Sequence, residues 1–180
     1  MVYGNIMSLL YGDNFALHTE LPEGSAFSFG ALWSYSHHLV SVENLILPAT
    51  TLKPCCYIRM FAGCTSLTAA PELPATTLAD CCYRGMFAIC TSLTKAPVLR
   101  APVLTEECYT YMFEQCTELH ELVCLATDIS AKDCTKEWFL DGSTSGTFYK
   151  APEMEDWPLD TIDVIPAGWT IANYDGVDEK

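Results

Sequence analysis

Residues 82–93 read Cys82-Tyr83-Arg84-Gly85-Met86-Phe87-Ala88-Ile89-Cys90-Thr91-Ser92-Leu93, and the same pattern stands on either side of them. Met60-Phe61, Cys64 and Leu67 lie 26 residues before Met86-Phe87, Cys90 and Leu93; Met112-Phe113, Cys116 and Leu119 lie 26 residues after. A fixed step of this length marks a repeat array, whose units cannot bury their apolar faces alone and so stack on their neighbours. The pattern speaks first about how the chain is built.

The step reaches beyond these three units. Leu-Pro recurs at Leu21-Pro22, Leu47-Pro48 and Leu73-Pro74, and Leu99 and Leu125 continue the register. A second register runs Ile6, Leu32, Met60, Met86, Met112 and Trp138, with a step of 28 from Leu32 to Met60, so an early unit is two residues out of phase. This divides the chain into a degenerate N-terminal turn or cap over 1–28, a repeat array over 29–135 and a C-terminal cap over 136–180. In the cap, Gly146-Thr-Phe-Tyr-Lys150 reads as a strand, and Ile165-Pro-Ala-Gly-Trp-Thr-Ile171 as a further strand or hairpin over the open end.

Within a unit, Leu78, Cys82, Met86 and Cys90 recur at every fourth residue with Tyr83 and Phe87 beside them, which predicts an amphipathic helix. Thr77-x-x-Asp80 and Ser130-x-x-Asp133 resemble capping boxes, and Pro54 suits a first helical turn. Leu67–Leu73 then reads as a short strand. The expected fold is an α/β repeat solenoid, a right-handed coil of strand-plus-helix units, with parallel strands ending near Leu47, Leu73, Leu99 and Leu125. Pro71 and Pro97 fit this poorly, because a central strand loses a ladder hydrogen bond at proline.

The ten cysteines follow the same step. Cys56, Cys82, Cys108 and Cys134 form one register and Cys64, Cys90 and Cys116 another; Cys55 and Cys81 form a partial third, and Cys124 stands alone. A small buried thiol once per unit suits a stacked core. The Cys-Cys-x7-Cys spacing is not a zinc knuckle, and no metal or other cofactor is expected. Cys124 is either exposed or paired with Cys134.

Net charge is −14 and unevenly spread: 6 acids and 5 bases over 1–105, against 17 acids and 4 bases over 106–180. Such a surface repels phosphate backbones and attracts calcium or a basic protein patch. No run approaches the roughly 18 apolar residues of a membrane-spanning helix, and residues 1–7 lack the features of a secretory signal. None of His18, His37, His38 and His120 lies in a nucleophile-elbow sequence. Glu106-Glu107 and Glu155-Asp156 are adjacent pairs that point apart in regular structure, unlike a glycosidase pair. The chain reads as no enzyme.

Leu-Pro-Ala-Thr-Thr-Leu at 47–52 and 73–78, Cys-Tyr-x-x-Met-Phe at 56–61, 82–87 and 108–113, and Cys-Thr-Ser-Leu at 64–67 and 90–93 resemble the BspA-like leucine-rich-repeat surface proteins of Bacteroides-type anaerobes. The resemblance covers roughly residues 30–135. It implies a leucine-rich-repeat solenoid, an extracellular or cell-surface location with signal or lipid anchor outside this stretch, and adhesion to a host or microbial protein or glycan; it brings no catalytic residues. Strand positions that vary between units, against a constant core, make the expected ligand face: Glu72, Lys95, His120, Glu121 and Lys150. The alternative is a structural spacer or assembly segment without a ligand of its own.

Overall fold

The computed structural model describes residues 2–155, 157 and 165–176. Its regular elements are few: β1 (Gly4–Asn5), α1 (Ser8–Tyr11), a 3-10 turn over Gly12–Leu17, β2 (Leu45–Ile46), β3 (Glu121–Cys124), β4 (Gly146–Lys150) and β5 (Trp169–Asn173). β1 and β2 pair in parallel, and β3, β4 and β5 form a parallel three-stranded sheet in chain order. Neither sheet is closed. The strand-plus-helix solenoid, and with it the leucine-rich-repeat architecture, is therefore not the fold. The only helical turns among the described residues are α1 and Gly12–Leu17, far from the segments predicted helical.

The 26-residue step survives in a different backbone. Over 79–91, N–H groups alternate between two destinations. Cys82, Arg84, Met86, Ala88 and Cys90 donate to the carbonyl three residues back, at 3.0–3.2 Å, closing successive turns. Cys81, Tyr83, Gly85, Phe87 and Ile89 donate to Glu106, Cys108, Thr110, Met112 and Glu114 of the following coil, at 2.7–3.1 Å. The same alternation runs over 27–36, 55–64 and 107–116. This ribbon of four-residue turns needs a left-handed backbone at every fourth residue, and has it: Cys55, Arg59 and Gly63; Cys81, Gly85 and Ile89; Glu107, Tyr111 and Gln115 all have positive φ between 52° and 74°. Side chains four apart therefore share a face, as in a helix, although no helix exists. The expected capping boxes cap nothing; the carbonyl of Asp80 instead accepts from Cys55 N–H at 3.0 Å, and that of Pro54 from Phe27 N–H.

The opposite side of each coil is where strands were expected. β2 and β3 end at Ile46 and Cys124, close to Leu47 and Leu125, but Leu73 and Leu99 lie in neither sheet. Between them the ladder is reduced to isolated parallel bridges, the column Ser41↔Ala69, Ala69↔Lys95 and Lys95↔Glu121, with Leu99↔Cys124 beside it. Proline explains the reduction. The position two after the bridge is Pro71 and Pro97 in these coils, where no N–H exists to continue the ladder. One coil later it is Val123 and then Tyr149, and there β3 and β4 run as continuous strands. The early unit is out of phase by the expected amount: Phe29 donates to Cys56 across 27 residues, whereas Cys55 donates to Asp80 across 25.

Stacking builds two aromatic columns. Phe29, Tyr57, Tyr83 and Tyr109 succeed one another at 5.6–6.1 Å between ring centroids. Trp33, Phe61, Phe87 and Phe113 do so at 5.5–5.9 Å. At the end of the first column Thr135 stands where tyrosine is due, and Trp138, from the methionine register, stacks on Tyr109 at 6.3 Å instead. Trp157 then covers Trp138, and Trp169 of β5 meets Phe139 edge-on at 4.9 Å. The cap strand over Gly146–Lys150 is present, and β5 overlaps the predicted Ile165–Ile171 segment but runs on to Asn173; residues 156, 158–164 and 177–180 of the predicted cap, with Asp156 of the Glu155-Asp156 pair, lie outside the described residues. Between the columns Met60, Met86 and Met112 and the cysteines of both main registers are buried.

Met86 has no exposed surface, so Met86→Ala leaves a cavity between three coils and lowers stability by about 2–5 kcal/mol. Denaturant titration measures it, and an unchanged midpoint would remove Met86 from the core. A second expectation concerns alkali. Burial above all pushes the thiols of Cys56, Cys108, Cys116 and Cys124 from 9.0 up to about 12. A group protonated in the fold but ionised when unfolded stabilises fully below its unfolded pKa, and that stabilisation is lost as pH rises from about 9 to about 12. The denaturation midpoint should therefore fall steeply across that window, and a midpoint flat between about pH 9 and about pH 12 contradicts the buried, protonated column.

Candidate functional site: the bridged face

The broken ladder leaves relief on the bridged face. A groove of about 400 Å³ is lined by Ala69, Pro71, Glu72, Lys95, Pro97 and Val98, with Glu43 and Thr68 at its rim. A second depression of about 390 Å³ is lined by Leu45, Ile46, Leu47, Pro48 and Pro74 and shares Glu43 and Glu72 with the first. Together they make one trough across adjacent coils. Pro71, Pro97 and Val98 are buried where they line it, whereas Glu72 and Lys95 are exposed.

Of the five residues expected to bind, Glu72 and Lys95 line this trough. Glu121 follows Lys95 in the bridge column, and the two side chains pair at 2.8 Å, both partly exposed. Arg100 Nη2 lies 3.8 Å from Glu72 Oε2, and the Glu72 side chain is 81% exposed. Lys150 is drawn away toward the end of the stack, its Nζ donating to the carbonyl of Met154. The five are therefore a row with one convergent part, Glu72–Lys95–Glu121, and two outliers.

His120 is the second outlier, and its surroundings bear on catalysis. Its Nδ1 lies 3.0 Å from the Ser145 carbonyl and 3.3 Å from Ser143 Oγ, and its Nε2 lies 3.9 Å from Glu118. This is a serine, a base and an acid in one place, but their bonds are those of a loop clamp. Ser143 is buried, and its hydroxyl donates to the Ser145 carbonyl at 2.9 Å, as His120 Nδ1–H also can. A nucleophile must instead give its proton to the base and face substrate. His37 and His38 are exposed in a turn, with His37 Nδ1 3.3 Å from Thr65 Oγ1. Among the described residues no group of three or more His, Cys, Asp or Glu side chains could hold a metal ion. Cys124 is buried, not exposed, and both Cys124 and Cys134 are free thiols.

The ribbon face carries features that spacing alone did not single out. Arg84 pairs with Glu107 of the next coil, and its guanidinium lies 5.7 Å from the centre of the Tyr111 ring. Cys55 and Cys81 are half-exposed, unlike the other eight cysteines. The repeat pattern marks them as a partial register; their exposure follows from the left-handed position they occupy. The ribbons are hydrogen-bonded coil to coil, so they are as closely spaced as the bridged face, not further apart as helices would be.

No family model matches the chain. No curated protein and no solved structure matches it either.

The Lys95–Glu121 pair is partly exposed on both sides, so its coupling should be at most about 1 kcal/mol. A double-mutant cycle with Lys95→Ala and Glu121→Ala measures it, and the value should shrink further as salt is added. A coupling well above that bound would mean the pair holds the coils together.

Proposed function

We propose that this chain is a non-enzymatic interaction module that recognises a protein or a glycan along its bridged face. The observation that carries this reading is the trough over Pro71 and Pro97. It is an apolar channel rimmed by Glu43, Glu72 and Lys95, on a face whose side chains vary while the core behind repeats. An apolar floor with a few placed charges is the make-up of a binding cleft. The motif resemblance supports an exported, surface-held, adhesive role, although the fold of that group is not the fold found here.

A second reading is favoured by one observation. The charges of the face have partners within the chain, Lys95 with Glu121 and Arg100 with Glu72, as a solvated spacer segment would arrange them. Binding measurements on a glycan array and on immobilised extracellular-matrix proteins separate the two. If the trough binds, Lys95→Glu weakens the interaction about tenfold, or ~1.4 kcal/mol, while Arg59→Glu on the ribbon face leaves it unchanged. No binding on either array supports the spacer, and loss confined to Arg59→Glu moves the site to the ribbon.

A further inference from the structure

Ten thiols are free, and eight are buried. The two that reach the surface are neighbours. Cys55 and Cys81 occupy the same position of consecutive ribbons, with almost the same left-handed backbone, φ 55° and 56°. Hydrogen bonds on either side hold that register: Cys55 N–H donates to Asp80 and Tyr57 N–H to Cys82, both at 3.0 Å. Equal backbone conformations in register send both Cα–Cβ bonds the same way. Hydrogen-bonded neighbouring chains lie about 4.8 Å apart, inside the span of about 4.4–6.8 Å between Cα atoms that a disulfide needs. The next position of this column is Glu107, whose carboxylate is 3.7 Å from Cys81 Sγ. The column therefore offers one thiol pair and no third sulfur.

We propose that Cys55 and Cys81 are a reversible disulfide site that staples two adjacent ribbons when the protein meets a small-molecule disulfide. The thiolate of Cys55 attacks one sulfur of the reagent, forming a mixed disulfide and releasing one reagent thiol. Cys81 then gives up its proton and attacks the Cys55 sulfur, releasing the second. Two cysteine thiols are oxidised, one reagent disulfide is reduced to two thiols, and no other electron acceptor is needed. Burial, with Cys55 and Glu107 alongside, pushes the Cys81 thiol up to about 11, so closure is slow at neutral pH and quickens in mild alkali. The columns Cys56–Cys82–Cys108 and Cys64–Cys90–Cys116 repeat at the same coil spacing, but burial keeps the reagent from them. This inference is independent of any ligand of the bridged face.

The test treats the reduced, folded chain with oxidised glutathione, then alkylates it and maps its peptides by mass. The expected product has lost two hydrogens, shows one linked pair of peptides containing Cys55 and Cys81, and leaves the buried eight unmodified until unfolding. The link closes a loop across one coil, so the oxidised protein should melt roughly 10 °C higher, and dithiothreitol should reverse the shift. Cys55→Ser should abolish the link and the shift, and leave Cys81 free or as a lasting mixed disulfide. Stable glutathione adducts on both cysteines of the parent chain, a link through any other pair, or no reaction in mild alkali would each overturn the proposal.

Discussion

The stack depends on a left-handed residue at every fourth ribbon position. In a helix each N–H is spent within the same element; in a strand each alternate one is spent on a neighbour. The ribbon does both by turns, and the left-handed residue aims every second N–H at the next coil. Among the described residues, thirteen other than glycine adopt this conformation, at a cost of about 1–2 kcal/mol each. Such strain persists only where the surroundings over-determine it, and here ten of the thirteen, from Phe27 to Gln115, donate a hydrogen bond across coils. Gly63 and Gly85 meet the demand without strain. At Gly63 there is a further reason, since a Cβ would lie 2.5 Å from the Tyr35 ring.

From that backbone the core follows. A ribbon that repeats every four residues brings Cys82, Met86 and Cys90 to one side, with Tyr83 and Phe87 beside them, and all five are buried. Because the coils are in register, each side chain meets its own kind, and the rings stack at 5.5–6.1 Å. That spacing is wider than close ring-on-ring contact. Where a column loses its member, at Thr135, the larger Trp138 from the adjacent register fills the space, which is why the array changes composition as it ends.

The step, the phase slip of two residues and nearly the whole core were legible in the sequence, because burial repeats with the coil whatever backbone produces it. The backbone itself was not. Over the span of Leu78 to Cys90 a period of 4 and a period of 3.6 select almost the same residues, so a left-handed turn ribbon and an amphipathic helix look alike. The clue was Gly63 and Gly85, mid-segment and four-spaced from Arg59 and Cys81. The site was legible in part. Glu72, Lys95 and Glu121 share a face because the step is real, while His120 and Lys150 are claimed by Ser145 and Met154 at the change to continuous strands. Pro71 and Pro97 looked like faults in a strand; they are what opens the trough.

The cysteine columns answer a question that an exported protein would pose. Cys64, Cys90 and Cys116 each direct Sγ to a carbonyl of the preceding coil, at Trp33, Phe61 and Phe87, at 3.1–3.2 Å. Those carbonyls already accept a turn N–H from Ser36, Cys64 and Cys90, and the thiol occupies the second lone pair. Alanine would leave that lone pair without a partner, and serine would bring a more strongly hydrated hydroxyl into an apolar column. Thiol is the group that both packs and bonds there. Burial that raises these pKa values also withholds the thiolate, which is the form that oxidants attack. A chain with ten cysteines can thus stay disulfide-free in its core under oxidising conditions, and redox chemistry is confined to the one pair the ribbon turns outward.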